Sequence, residues 1–79
     1  MNEIVPELSF GKKAVGLTFN PSNKTEVDTV KCYYADIIDM MDNLRKNTDS
    51  KEVQRLASIA ITEAQTAQMW AVKALTWKD

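Results

Sequence analysis

Lysines, aromatic rings and an amide occur close together in the first third of this 79-residue chain. A phosphate-bearing base needs these residue types in its binding site, because rings stack on bases, ammonium groups attract phosphates and amides bond to base edges. Each of them alone is ordinary, since phenylalanines usually pack in the protein and lysines are usually solvated. The candidate ligand-binding residues from this group are Phe10, Lys13, Thr18, Phe19, Asn20 and Lys31.

A second polar group follows in the C-terminal half of the chain. Its members lie close to one helical line, at steps of 3, 4 and 7 residues. They form either a solvated helix face or a hydrogen-bonding wall with a positive cast, because no acidic residue occurs between Glu63 and Asp79. Both readings stay open. The line contains Arg55, Ser58, Thr62, Thr66 and Lys73, and Gln65 and Gln68 add amides beside it.

Composition argues against several classes of function. The chain has no histidine and a single cysteine, Cys32, so we expect no metal site, no cofactor and no histidine-based catalysis. No nucleophile–base pair is evident either, and we expect a protein that is not an enzyme. The net charge of −1 is unlike that of a strongly basic protein that binds a nucleic acid polymer.

The cellular compartment follows from the same features. One cysteine allows no internal disulfide, which fits a reducing compartment. No apolar run approaches the roughly 18 residues of a membrane span. The opening "MNEIVPEL" contains Glu3 and Glu7 and lacks the basic start of a signal peptide. We therefore expect a cytoplasmic protein without a membrane partner.

The elements that must position these residues begin with an N-terminal arm, predicted over 1–22. Pro6 and Gly11 are breakers, so residues 1–13 are predicted to be extended or irregular. The segment "KAVGLTF" alternates weakly, as a short strand or an extended arm would. The turn "NPSN" then follows, because Pro21 restricts the backbone of the residue before it.

A first helix is predicted over 23–47, with Asn23 and Glu26 at the spacing of a capping box. Asp42 falls on the predicted solvated face, where Lys46 is its i,i+4 partner. The apolar positions repeat at 3-4-3-4-3, which is a heptad seam. They are Val27, Val30, Tyr34, Ile37, Met41 and Leu44.

A second helix is predicted over 50–77 after a short loop, in which Asp49 and Glu52 again have capping-box spacing. The short loop makes the two helices antiparallel. The second helix has two apolar faces, and one partner helix covers only one of them. The prediction is a single all-α domain over 1–79, an antiparallel two-helix hairpin with an extended N-terminal arm that assembles into a helical oligomer. One face contains Val53, Leu56, Ala60, Ala67, Trp70, Ala74 and Trp77, and the other Ala57, Ile61, Ala64, Ala71 and Leu75.

Three stretches resemble the hairpin-domain family of phage signal-sponge proteins, the anti-CBASS and Thoeris anti-defence proteins. They are "LSFGKKAVGLTFNPSN", "IIDMMDNLR" and "RLASIAITEAQTAQMWAVKALTW", and the resemblance extends from Leu8 to Trp77. It implies a phage protein that forms a hexamer in the host cell cytoplasm. Such a protein binds cyclic dinucleotides, cyclic trinucleotides or cyclic ADP-ribose isomers without cleaving them, and so blocks effector activation.

The resemblance also implies roles for individual residues. Phe10 and Asn20 have a spacing similar to that of a ligand-binding aromatic residue and asparagine in the Thoeris type. Phe19 and Lys31 resemble the aromatic residue and lysine of the anti-CBASS type. On the second helix, the residues that match the family pattern are Thr62 and Gln65. The anti-CBASS type often has an arginine just before this threonine, and the residue at that position here is Ile61.

Two further readings belong to other classes of function. A hairpin that oligomerises could dock a partner protein by its apolar or aromatic surface and act as an adaptor. A cyclic nucleotide hydrolase is the weaker alternative, because the chain lacks histidine and a recognisable metal cluster. The sequence does not identify the messenger.

Overall fold

A computed structural model describes residues 7–79, which form three helices: α1 (Phe10–Ala14), α2 (Thr25–Lys46) and α3 (Lys51–Thr76). Helices α2 and α3 are antiparallel, since Lys24 just before α2 donates a hydrogen bond to the carbonyl of Leu75 near the end of α3, at 2.9 Å. The described residues contain no strand, so the all-α prediction is confirmed. None of these helices has the length and apolar character needed to cross a membrane.

The arm differs from its predicted structure. Residues 1–6 of the predicted arm lie outside the described part of the chain. It is not extended throughout, and "KAVGLTF" is not a strand, because its first two residues belong to α1 and the next four form a turn. Ser9 explains the helix, since its hydroxyl caps α1 by accepting a hydrogen bond from the Lys12 backbone amide at 3.1 Å. A turn over 15–18 follows, with Gly16 in the left-handed region at φ 63°.

Helix α1 packs against α2 through Gly11. The Gly11 backbone amide donates a hydrogen bond to the carboxylate of Asp39 at 2.6 Å. A Cβ atom at position 11 would overlap the carbonyl oxygen of Ala35 and lie 2.8 Å from Asp39 Oδ1. Glycine is therefore the residue that permits this close approach, rather than the helix breaker that the sequence indicated.

Both predicted capping boxes are wrong, because each helix has its N-cap one residue after the predicted one. Helix α2 has Lys24 at its N-cap without a side-chain cap, and Asn23 has a φ of 56°, which is unlike the extended backbone of a cap residue. Helix α3 is capped by Ser50, whose hydroxyl accepts from the Val53 amide at 3.1 Å, rather than by Asp49. At each junction the turn geometry decided which polar residue stood at the helix boundary.

The core lies where α1, α2 and α3 meet. Ala35 and Ile38 of α2 pack with Val15 of the arm and Ile61 of α3, and all four are buried. Leu17 of the arm packs against this cluster from the side. The turn after α1 is thus held by apolar contacts as well as by the Gly11 hydrogen bond.

The predicted seam of the first helix is only partly correct. Val27 is buried as predicted, but Ile37 and Leu44 are exposed. The buried positions of α2 are Val27, Lys31, Ala35, Ile38 and Asp42, a stripe that is rotated around the helix from the predicted one. On α3 the face with Ala57 and Ile61 is buried against α2. On the other face, Leu56, Trp70 and Trp77 are exposed.

Asp42 is buried, which corrects its assignment to the solvated face. Two cations make this burial possible: Arg45 Nε lies 2.9 Å from one carboxylate oxygen and Lys46 Nζ lies 2.8 Å from the other. The Asp42–Lys46 pair predicted from the i,i+4 spacing is therefore present. These contacts lower the pKa of Asp42, with the Lys46 hydrogen bond as the largest cause, burial opposing it and Arg45 adding to it.

Candidate functional site: the arm pocket

Lys31 holds the arm against α2. It lies one turn after Val27 and is only 4% exposed. Its ammonium group donates hydrogen bonds to the carbonyl oxygens of Gly16, at 2.9 Å, and of Phe19. An ammonium group has three N–H donors, so one remains beyond these two bonds. Lys31 therefore has a structural task that the sequence did not reveal.

The ring of Phe19 lies beside this buried cation. The Lys31 nitrogen is 5.6 Å from the ring centroid, within the range of a cation–π contact. The phenylalanine is 70% exposed, so most of its ring surface is free of contacts within the protomer. An exposed ring next to an ammonium group can stack on a base whose phosphate lies near the charge.

Two cavities adjoin this pair, and we call them together the arm pocket. They have volumes of 190 and 430 Å³ and share Phe19, Lys31 and Val72 in their walls. The larger volume lies in the range of about 300–1,000 Å³ that is typical of small-molecule sites. The smaller cavity is also lined by Asn20, Pro21, Ser22, Val27 and Thr76, and the larger by Lys13, Ala14, Val15, Gly16, Gln68 and Met69.

Asn20 lines the smaller cavity while it fixes the turn before α2. Its amide nitrogen donates to the Lys24 carbonyl and to the Asp28 carboxylate, each at 3.0 Å. Its amide oxygen accepts from the Ser22 hydroxyl at 2.7 Å. A ligand that used the amide nitrogen would replace one of these bonds, so in this conformation Asn20 shapes the wall.

Phe10 lies elsewhere, beside Arg45 rather than in the arm pocket. The Arg45 guanidinium is 5.2 Å from the centroid of the Phe10 ring and donates to the Ser58 hydroxyl at 3.2 Å. This arginine thus joins α1, α2 and α3 near the hairpin loop. The sequence pattern does not single out Arg45, because only its place beside the arm gives it this role.

Thr62 lines a third cavity, of 310 Å³, along the outside of α3. Its hydroxyl donates to the Ser58 carbonyl at 3.3 Å, and Arg55 at the same cavity is paired with Glu52 at 2.7 Å. Thr62 and Arg55 therefore already have local partners at this cavity. Its other lining residues are Ser58, Ile59 and Glu63.

The family model described as "Acb2/Tad1, hairpin domain" matches residues 12–76. The chain belongs to the Acb2/Tad1 hairpin-domain family. The matched range runs from within α1 to the last residue of α3, and so includes the arm pocket. Searches among curated proteins and among solved structures found no match to this chain.

In this Acb2/Tad1 hairpin domain, the predicted site residues divide into groups. Lys13, Phe19, Asn20 and Lys31 come together at the arm pocket. The others do not line it: Thr18 borders a neighbouring cavity of 600 Å³ that shares Asn20 with the arm pocket, Phe10 lies at Arg45, and Thr62 lies on the outside of α3. Gln65 is half-buried, and its amide donates back to the Ile61 carbonyl at 3.4 Å.

The hairpin domain also adds residues that the sequence did not single out for a site. Val72 lies in both cavities of the arm pocket, and Met69 lies in the larger one. The available signal was their spacing, because Gln68 and Val72 continue the i,i+4 series of the buried α3 face from Ala64. An arm that crosses this end of the hairpin has to meet that face.

Proposed function

We propose that this protein binds the cyclic nucleotide second messengers of bacterial immunity in the arm pocket and sequesters them without cleavage. Membership of the Acb2/Tad1 hairpin-domain family supports this function. The observation that carries it is the Phe19 ring beside the Lys31 ammonium, 5.6 Å from the ring centroid, on the wall of both cavities.

The pocket offers an aromatic ring for a base and positive charges for a phosphate. The exposed Phe19 ring stacks on a base, a contact worth about 1–3 kcal/mol. The remaining donor of Lys31 and the ammonium of Lys13 attract a phosphodiester. Lys13 pairs with the exposed Glu7 at 3.4 Å, a weak contact from which a phosphate can draw it away.

Sequestration needs binding alone. A messenger held in the pocket does not reach its effector, so CBASS or Thoeris signalling stops while the ligand stays chemically intact. This activity requires enough protein to match the messenger, and it places the protein in the cytoplasm of a phage-infected cell. The messenger belongs to the cyclic dinucleotides, the cyclic trinucleotides or the cyclic ADP-ribose isomers.

The active form is a homo-oligomer, a hexamer as in the signal-sponge proteins that the sequence resembles. The outward faces of the hairpin support this, because large apolar residues such as Trp70 and Met40 are exposed on the protomer. A monomer would leave these apolar surfaces in water.

Calorimetric titration tests the proposal with a panel of cyclic dinucleotides, cyclic trinucleotides and cyclic ADP-ribose isomers. At least one ligand should bind, and chromatography after heat denaturation should recover that ligand unchanged. Recovery of a linear product would instead show a hydrolase. Failure of the whole panel to bind would contradict sequestration and favour the adaptor hypothesis, in which the outward apolar faces dock a partner protein.

A further inference from the structure

Gln68 is a buried amide without a hydrogen-bond partner among residues 7–79. Its side chain belongs to the buried face of α3 and is only 5% exposed. The other two glutamines of this helix, Gln54 and Gln65, each donate to a backbone carbonyl, at 3.0 and 3.4 Å. Most buried polar groups in proteins are hydrogen-bonded, so a buried amide without a partner requires a specific reason.

The open side of this amide is the larger cavity of the arm pocket. Every fully enclosed side-chain nitrogen or oxygen in the described part of the chain has a hydrogen-bond partner. The amide atoms of Gln68 have none, so they keep some accessible surface, and Gln68 lines the 430 Å³ cavity. Phe19 and Lys31 line the same cavity. An amide group thus borders the space beside the ring and the ammonium group that the proposed function uses.

The wall around this amide has few polar groups. Met69 and Val72 are apolar neighbours of Gln68 in the cavity. In small-molecule sites, a few polar groups on an apolar wall fix the orientation of the ligand. The charged side chains of the wall, Lys13 and Lys31, are donors only. Among the residues of this wall, Gln68 is therefore the side chain that offers a donor and an acceptor side by side.

We propose that Gln68 binds the edge of a base stacked on Phe19 and selects adenine over guanine. The inference rests on the proposed function and narrows its ligands to messengers that carry adenine. On its major-groove edge, adenine presents the N6 amino donor beside the N7 acceptor, a pair that a glutamine amide matches with two hydrogen bonds. Guanine presents two acceptors, O6 and N7, on the same edge, so the amide oxygen of Gln68 would face another acceptor.

The two lysines of the cavity would favour guanine if they contacted the base, because ammonium donors suit its O6 and N7 acceptors. Other partners occupy them. Lys31 gives two of its three donors to the carbonyl oxygens of Gly16 and Phe19. Its third donor and the ammonium group of Lys13 serve the phosphodiester in the proposed function. The choice of base is therefore made by Gln68.

Calorimetric titration with cyclic di-AMP and cyclic di-GMP tests this preference. The wild-type protein should bind cyclic di-AMP about ten-fold or more tightly than cyclic di-GMP, which is the discrimination that a two-bond contact between an amide and a base supplies. Gln68→Met keeps a side chain of similar length and removes the amide. In this variant the affinity for cyclic di-AMP should fall, so that the ratio of the two affinities approaches one or reverses.

A modified ligand tests the same contact from the side of the base. Cyclic di-7-deaza-AMP has a C–H group in place of N7 and keeps the N6 amino group. It should bind the wild-type protein more weakly than cyclic di-AMP does. The two ligands should bind Gln68→Met equally, because this variant lacks the N–H group that N7 accepts. The wild-type measurement needs no variant, so it remains decisive if Gln68→Met does not fold.

Gln54→Met is the matched control, because Gln54 lies at the other end of α3 and does not line the arm pocket. It should keep the wild-type preference for adenine, and circular dichroism checks the helix content of both variants.

Four results would overturn the inference and leave the proposed function standing. They are equal affinity of the wild-type protein for the two purine dinucleotides, a preference that persists in Gln68→Met, full affinity for the 7-deaza ligand, or failure of cyclic di-AMP to bind when another cyclic nucleotide of the panel binds. Failure of the whole panel would overturn the proposed function and this inference with it.

Discussion

The ammonium group of Lys31 lies 2.9 Å from the carbonyl oxygen of Gly16, fifteen residues earlier in the chain. A buried lysine needs such partners, because an unpaired charge in the interior is costly. The contact fixes the turn that leads to Phe19. A residue with the appearance of a phosphate contact is thus also the clamp that positions the exposed ring.

Removing this clamp should loosen the arm and leave the hairpin folded. Lys31→Met leaves two carbonyl groups without their donor, at a cost of about 1–3 kcal/mol of unfolding free energy. Chemical denaturation measures this loss, and hydrogen exchange at residues 16–19 should increase. Lys12→Met serves as the control, because Lys12 is exposed on α1. Equal stability of the two variants would show that the clamp contributes nothing.

The two phenylalanines of the arm should behave differently when each is replaced by alanine. Phe19→Ala removes a stacking ring worth about 1–3 kcal/mol, so messenger affinity should fall about ten- to a hundred-fold while stability changes little. Phe10→Ala removes the contact with Arg45, worth about 0.5–1 kcal/mol, and should lower stability more than affinity. Calorimetry and thermal unfolding of both variants separate the effects. The opposite pattern would move the site from the arm pocket to Arg45.

Gly11→Ala should push α1 away from α2. The new methyl group would overlap the Ala35 carbonyl and press on Asp39, and forced overpacking of this kind costs about 1–3 kcal/mol. Thermal unfolding should show the loss, although alanine is the better helix former. Lys12→Ala is the matched control in the same short helix. A Gly11→Ala variant as stable as this control would mean that the close approach is absent in solution.

The apolar pattern of the sequence was sufficient to predict the two-helix hairpin. It did not predict which face of each helix is buried. The second helix was expected to be apolar on two sides, and the structure shows one side packed on α2 and the other exposed. On the first helix, Ile37 matched the seam better than Ala35 by hydrophobicity. The structure buries Ala35, because a small residue lets the backbone of Gly11 approach.

Buried charges were the other part that periodicity did not predict. Lys31 and Asp42 lie in the buried stripe of α2, where a pattern based on hydrophobicity places apolar residues. Their burial depends on partners distant in the chain, or on neighbours whose rotamers the sequence does not specify. The arm pocket was therefore foreseen in its residue types, while the division between Phe10 and Phe19 required the fold.

Acid should destabilise the protein partly through Asp42. Lys46 and Arg45 lower the pKa of this carboxylate in the folded state. The stability it provides is present above the ordinary carboxyl pKa, which is about 3.9, and is lost as the pH falls through the lower folded value. Between pH 6 and pH 3, the melting temperature of the wild-type protein should therefore fall by more than that of the Asp42→Asn variant.

Glu52→Gln provides the comparison for this experiment. Arg55 also lowers the pKa of Glu52, but both side chains are largely exposed, so solvent weakens their pair. We expect this variant to change the acid sensitivity less than Asp42→Asn does. If the two variants shifted it equally, the burial of Asp42 would have no special effect.

The short connection over 47–50 between α2 and α3 has a consequence for the timing of assembly. Contacts close to it join residues that are near in sequence, such as Arg45 and Ser58, and chains rich in local contacts fold in microseconds to milliseconds. Subunit association is slower and depends on concentration. The interval between translation and a working assembly should therefore be governed by how fast newly made chains accumulate and meet.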